Sequence, residues 1–174
     1  MGMWLFIAAL AMLFGASFVG YLVIRIRAPE WPPPGSPALP AGLWISTALL
    51  VVLSLVLALA QRAARAGGRE RLTRMLTAAL LFAIAFFASQ VSNWMRMASV
   101  NALPQQSLFI WGFYTLTFLH ALHVLAGLVP LILVTLRARR GRYTATDHEG
   151  IQLVAMYWHF LAVTWLAILA VLSF

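Results

Sequence analysis

The 174-residue chain is 63% hydrophobic and only 9% charged, with a mean hydropathy of +0.92, so it lacks the polar surface that a water-soluble domain presents. It has no cysteine, which excludes disulfides, thiolate-held zinc, iron–sulfur clusters and thiol catalysis. The net charge is +8, but the basic side chains are all arginines beside apolar runs; membrane topology explains that placement, and no soluble module remains to carry a basic face for nucleic acid.

The first apolar run, from about Met3 to Ile24, is too long for a signal peptide and lacks its basic leading region, so it is expected to be a retained membrane helix. Arg25 and Arg27 close it. Pro29, Pro32, Pro33, Pro34, Pro37 and Pro40 then predict a stiff extramembrane loop over residues 29–40. A second span is expected from about Leu43 to Ala60, stopped by Arg62 and Arg65. A third runs from about Leu76 to Trp94, preceded by Arg71 and Arg74. After a short loop from Ala98 to Ser107, a fourth span from about Leu108 to Leu136 exceeds the hydrocarbon thickness and carries Pro130, which predicts tilt and a kink. The fifth runs from about Ile151 to Phe174.

The fold class expected is therefore all-α: an integral membrane bundle of five transmembrane helices in a single domain. Nine arginines (Arg62, Arg65, Arg69, Arg71, Arg74, Arg137, Arg139, Arg140 and Arg142) flank the loops after the second and fourth spans, against Arg25, Arg27 and Arg96 elsewhere. The positive-inside rule then puts the amino terminus in the cytoplasm and, after five crossings, the carboxyl terminus outside. No internal repeat of the kind that builds secondary transporters is visible.

Ionisable and amide side chains at membrane depth are candidate functional residues because they are costly there. The fourth span holds His120 and His123, near one face with Thr117 and Gly127; the fifth holds His159, on a stripe with Gln152, Ala155 and Ala162; the third holds Gln90, Asn93 and Trp94. The expected role of the three histidines is hydrogen bonding between helices that small residues allow to approach. A haem between His159 and a fourth-span histidine is the competing reading. Glu30, Glu70, Asp147 and Glu149, the acidic residues, all sit in loops or at span ends, which argues against independent proton pumping. Trp4, Trp44, Trp94 and Trp111 read as interfacial anchors.

Two contiguous motifs carry a family resemblance. Phe113 to Leu128 reads FYTLTFLHALHVLAGL and Tyr157 to Leu166 reads YWHFLAVTWL. These resemble the F-x-x-x-T-G-x-H-x-x-H-V-x-x-G-L and Y-W-H-F-V-D-V-V-W-L segments of subunit III of the haem–copper respiratory oxidases, with Phe118 in the usual glycine position. Weaker similarities cover Gly2 to Phe6, Trp44 to Thr47, Ser54, and Gln90 with Trp94. The chain is similar to the short, five-helix form of that family.

The resemblance implies a non-catalytic subunit without cofactors of its own, packed against the oxidase subunit I that holds haem and copper, with subunit II and membrane phospholipids as further partners. It implies the inner (plasma) membrane of a prokaryote. The family role would be to stabilise subunit I, ease proton uptake and offer oxygen a path. Family-motif positions are His120, His123, Gly127, Tyr157, Trp158, His159, Gln90 and Trp94. Two family carboxylates are replaced, by Leu10 and by Ala162. That pair of replacements implies a more apolar interior, with lipid binding and scaffolding retained. A quinol oxidase subunit, an accessory subunit of a nitric oxide reductase, and an unrelated transporter or haem-binding anchor are the alternatives.

Overall fold

The structure, a computed structural model, describes residues 2–173. It contains five helices: α1 (Gly2–Arg27), α2 (Gly42–Arg65), α3 (Arg69–Ser99), α4 (Leu108–Arg139) and α5 (Glu149–Ser173). Each is long and apolar enough to cross a membrane. Helices are what apolar runs of this length must form in hydrocarbon, because only the internal i to i−4 ladder satisfies the backbone there. The helices outrun the expected spans: α2 continues through Arg65, and α3 begins at Arg69 and ends at Ser99. At 1.5 Å per residue, helices of this size reach about 36 to 48 Å, so the extra turns lie at headgroup depth where arginine is solvated. Phe174, the last residue of the expected fifth span, lies outside the described residues.

Helices α2 to α5 close into a four-helix ring in which α2 packs on α3, α3 on α4, α4 on α5 and α5 back on α2; α1 leans on α4 and α5 alone. The shared core is made by Leu50, Leu53 and Leu57 of α2, Ala79, Ala83 and Phe86 of α3, Leu116, Val124 and Leu131 of α4, and Trp158, Leu161 and Trp165 of α5. The outer surface is apolar too, with Trp4, Ile26, Leu55, Leu81, Val129 and Val163 exposed. Burial of apolar area therefore does not separate inside from outside in this molecule. Close packing and interhelical hydrogen bonds must hold the helices together.

Three helix ends share one closing motif. After α2, Gly67 N–H donates to the Ala64 carbonyl and Gly68 N–H to the Ala63 carbonyl, both at 3.0 Å. After α3, Asn101 N–H and Ala102 N–H reach back to the Ala98 and Met97 carbonyls; after α4, Gly141 N–H and Arg142 N–H reach the Ala138 and Arg137 carbonyls. The turning residues Gly67, Asn101 and Gly141 have φ of +67°, +54° and +70°. This left-handed closure is the Schellman arrangement, which satisfies carbonyls that a helix end would otherwise leave bare. Helix α4 passes through Pro130 without interruption from Leu108 to Arg139.

The loops tie the ends together. At the arginine-rich end, Arg69 Nη2 donates to the Arg139 carbonyl at 3.1 Å. At the opposite end the proline-rich loop tucks Trp31 against Tyr21 and Phe109, with ring centroids 5.5 and 5.7 Å away. Beside it, Arg25 Nη1 meets the Val171 carbonyl of α5 at 3.4 Å.

Candidate functional site: polar residues inside the bundle

The polar side chains of the spans form two groups. The first joins α2 to α3. Ser46 and Ser89 hydroxyls are 2.9 Å apart, Ser46 Oγ donates to Gln90 Oε1 at 3.2 Å, and Asn93 Nδ2 donates to Gln90 Oε1 at 2.8 Å and to Ser46 Oγ at 3.2 Å. Ser46, Gln90 and Asn93 are buried. The helices can approach this closely because Gly42 faces Asn93: a methyl group on Gly42 would collide with Asn93 Oδ1. Gln90 therefore acts as an interhelical acceptor, in the way small-residue contacts with amide cross-links hold membrane helices together.

The second group binds α4 and α5 to their neighbours. Trp94 Nε1 of α3 donates to Thr117 Oγ1 of α4 at 3.0 Å. This differs from the expected anchoring role: Trp94 lies within the level of Thr117, and its indole is used across a helix contact. Trp4 and Trp44, each 67% exposed, retain the surface placement expected of anchors, as does Trp111. Trp165 Nε1 of α5 donates to Thr47 Oγ1 of α2 at 2.9 Å.

The three histidines do not act together. His159 Nδ1 lies 2.6 Å from Ser54 Oγ, linking α5 to α2. His123 Nδ1 donates to the carbonyl of Leu119 in its own helix at 2.7 Å, and the Tyr157 hydroxyl of α5 donates to the His123 backbone carbonyl at 2.8 Å. His120 is fully buried, and neither ring nitrogen has a partner among the described residues. Its ring lies among Phe86, Trp165 and Phe14, with centroids at 5.7, 5.2 and 6.3 Å. Of the expected interhelical hydrogen bonds from these side chains, only that of His159 is made among the described residues. A step of three residues turns about 60° away from a full helical turn, which separates the directions of His120 and His123. Phe14 of α1, 5.1 Å from the His123 ring, packs beside both.

Gly127 has a packing role. A Cβ there would lie 2.6 Å from Tyr157 Cε1 and 3.3 Å from Trp158 Cζ2, so the glycine lets α5 place both aromatic rings against α4. Phe6 of α1 stacks on Tyr157 with centroids 6.0 Å apart. Leu10 and Ala162 are both buried, at 7% and 8% exposure. Among the described residues, no group of three or more His, Asp or Glu side chains has a metal-holding arrangement. His159 is bonded to Ser54 of α2, while the His120 ring lies among Phe14, Phe86 and Trp165.

Ser89 and Trp165 also belong to these contacts, although the linear pattern did not pair them with Ser46 and Thr47. The visible signal for Ser89 was its place beside Gln90 and one turn from Asn93. For Trp165 there was none, since an indole in an apolar run fits lipid as well as it fits a hydroxyl on another helix.

A family model described as Cytochrome c oxidase subunit III matches residues 1–174. The chain is 32% identical to the cytochrome c oxidase subunit 3 of Synechocystis over 169 residues, covering 96% of this chain and 71% of that protein. It is 27% identical to the cytochrome c oxidase subunit 3 of Thermostichus vulcanus over 173 residues, 99% of this chain and 85% of the relative. It is also 27% identical to the cytochrome bo(3) ubiquinol oxidase subunit 3 of Pseudomonas aeruginosa over 172 residues, 98% and 81% of the two chains.

Proposed function

The chain belongs to the cytochrome c oxidase subunit III family, and from that premise we propose that it packs against the haem–copper catalytic subunit I, with subunit II nearby, and stabilises that subunit while binding membrane phospholipid. It is a non-catalytic, multi-pass membrane subunit of a respiratory oxidase, in a family without the catalytic metal centres. Haem and copper belong to subunit I in this reading. The observation that carries it is the match to the family model over residues 1–174, together with a fold of five membrane-spanning helices.

The proposed location is the plasma membrane of a prokaryote, with the arginine-rich end of the bundle in the cytoplasm. The arginine bias supports that orientation, nine residues against three. Cytochrome c is the proposed electron donor of the complex. The similarity to a ubiquinol oxidase subunit supports quinol as the second reading. Phospholipid binding is supported by the exposed apolar belt, and by loop arginines that each contribute roughly 1 kcal/mol near an anionic surface.

Affinity purification through a tag on this chain in mild detergent tests the assignment. The expected product contains companion chains bearing haem and copper, and reduces oxygen with reduced cytochrome c. Turnover with quinol alone selects the second reading. Recovery of the chain without a haem protein overturns both.

A further inference from the structure

Ser54 and His159 meet at the seam where α2 packs on α5, with Oγ 2.6 Å from Nδ1, and both side chains are only half-buried. His159 lies about 15 Å along the 25-residue α5 from Glu149, and Ser54 about 18 Å along the 24-residue α2 from Gly42. Both are near the middle of their spans. The pair therefore opens onto the outer surface at hydrocarbon depth, where Val51, one turn before Ser54, and Val163, one turn after His159, are exposed.

Other hydroxyls near the surface close on their own helix: Ser17 Oγ donates to the Leu13 carbonyl at 2.9 Å and Ser92 Oγ to the Ala88 carbonyl at 3.0 Å. Ser54 makes no such bond among the described residues, so its hydroxyl proton is directed to His159 Nδ1. The opposite tautomer, with Nδ1–H donating to Ser54, would leave that hydroxyl proton without an acceptor. With Nδ1 accepting, the proton of the neutral ring sits on Nε2, on the side turned from Ser54. Both His120 nitrogens are sealed in the interior, but His159 Nε2 is not. His123, also half-buried, spends its ring N–H on the Leu119 carbonyl and presents no donor to the outside.

An acyl chain offers no acceptor, so a ring N–H held at this depth on a lipid-facing surface is costly. A neighbouring membrane helix supplies what lipid lacks. We propose that the α2–α5 seam docks against a membrane-spanning helix of the haem–copper subunit, with His159 Nε2–H donating to an oxygen acceptor on that helix. The inference rests on the place beside subunit I set out under the proposed function, and names the face that meets it. The contact is apolar around a single hydrogen bond, with Val51 and Val163 packing beside it, as membrane helices associate. Ser54 then has a defined part: it fixes the ring so that its one N–H points out of the chain.

The test uses the intact complex, purified in mild detergent with its haem content measured. A photo-crosslinking phenylalanine analogue is placed in turn at Val163 of α5, Leu81 of α3 and Val129 of α4, all exposed on the outside of the bundle. Illumination is expected to join the Val163 variant to the haem–copper chain, identified by mass spectrometry, and the other two mainly to lipid. A lipid-only adduct at Val163, or attachment from Leu81 or Val129 at a yield equal to or above that from Val163, overturns the docking face. The co-purified haem then shows that the subunit assignment still stands. Recovery without any haem protein overturns that assignment and the docking face with it. Independently, His159→Leu is expected to shorten the half-time of subunit release in detergent by roughly threefold to tenfold. Ser54→Ala, which removes only the bond inside the chain, is expected to shorten it less than about twofold. Equal effects of the two variants overturn the outward bond.

Discussion

The indole N–H of Trp94 on α3 ends 3.0 Å from the Thr117 hydroxyl on α4, and that hydroxyl passes its own proton to the Phe113 carbonyl one turn back, at 2.7 Å. The pair ties α3 to α4 across their seam. Replacing Trp94 by Phe removes one donor but leaves Thr117 bonded within its helix, so the expected loss is small, about 0.5 to 1 kcal/mol. Thr117→Val removes the acceptor and strands the half-buried indole N–H, which should cost more. Unfolding in mixed micelles, followed by circular dichroism, is expected to rank Thr117→Val below Trp94→Phe and Thr117→Ser near the parent.

Gly127 is where α4 admits the rings of Tyr157 and Trp158. Gly127→Leu should drive Tyr157 from its bond to the His123 carbonyl and destabilise the α4–α5 contact by about 1 to 3 kcal/mol through overpacking. Tyr157→Phe in the parent should cost less than half of that. Thermal release of the subunit from the purified complex measures both.

At the arginine-rich end, Gly141 carries a φ of +70° and a Cβ there would meet the Arg69 guanidinium, 2.5 Å from Cζ. Gly141→Ala is expected to lower the melting temperature, with backbone strain contributing about 1 kcal/mol and displacement of Arg69 from the Arg139 carbonyl adding to it. Asn101→Gly, at the equivalent closing position after α3, should leave the melting temperature unchanged or raised. Equal effects of the two substitutions would contradict this account of the helix ends.

Leu10 is buried against the bundle, and the family resemblance implies a glutamate at this position. Leu10→Glu is expected to add a carbodiimide-reactive position inside the bundle, where the parent has none of its four carboxylates, Glu30, Glu70, Asp147 and Glu149. A carboxyl group there should also lower subunit retention by roughly 2 to 3 kcal/mol if it finds no partner. Labelling measured by mass spectrometry separates the first effect from the second. Retention equal to the parent would show that the interior still supplies a partner for the carboxyl group.

The absence of cysteine makes orientation directly readable. Ala38→Cys in the proline-rich loop and Ala145→Cys between α4 and α5 are both at exposed positions. In intact cells whose outer barrier is opened, an impermeant maleimide is expected to label Ala38→Cys, and to label Ala145→Cys only after the membrane is disrupted. The reverse pattern would invert the proposed topology.

The five spans, the bias of arginine toward one end and the two family motifs were legible in the linear chain, and for a local reason. Whether a segment crosses hydrocarbon depends on its own twenty or so residues, and arginine beside it reports the membrane edge whatever the neighbouring helices do. The role of each polar residue within the bundle was decided by the tertiary structure. His120, His123 and His159 look alike in sequence, yet one bonds Ser54 on α2, one bonds its own backbone, and one has no partner among the described residues. Trp94 read as an anchor and is a cross-link to α4, while Trp165, with no individual role expected within its motif, donates to Thr47. In a protein apolar on both its inside and its outside, hydropathy does not say which face of a helix meets another helix. That choice rests on small residues such as Gly42 and Gly127, and on single hydrogen bonds whose partners lie tens of residues away.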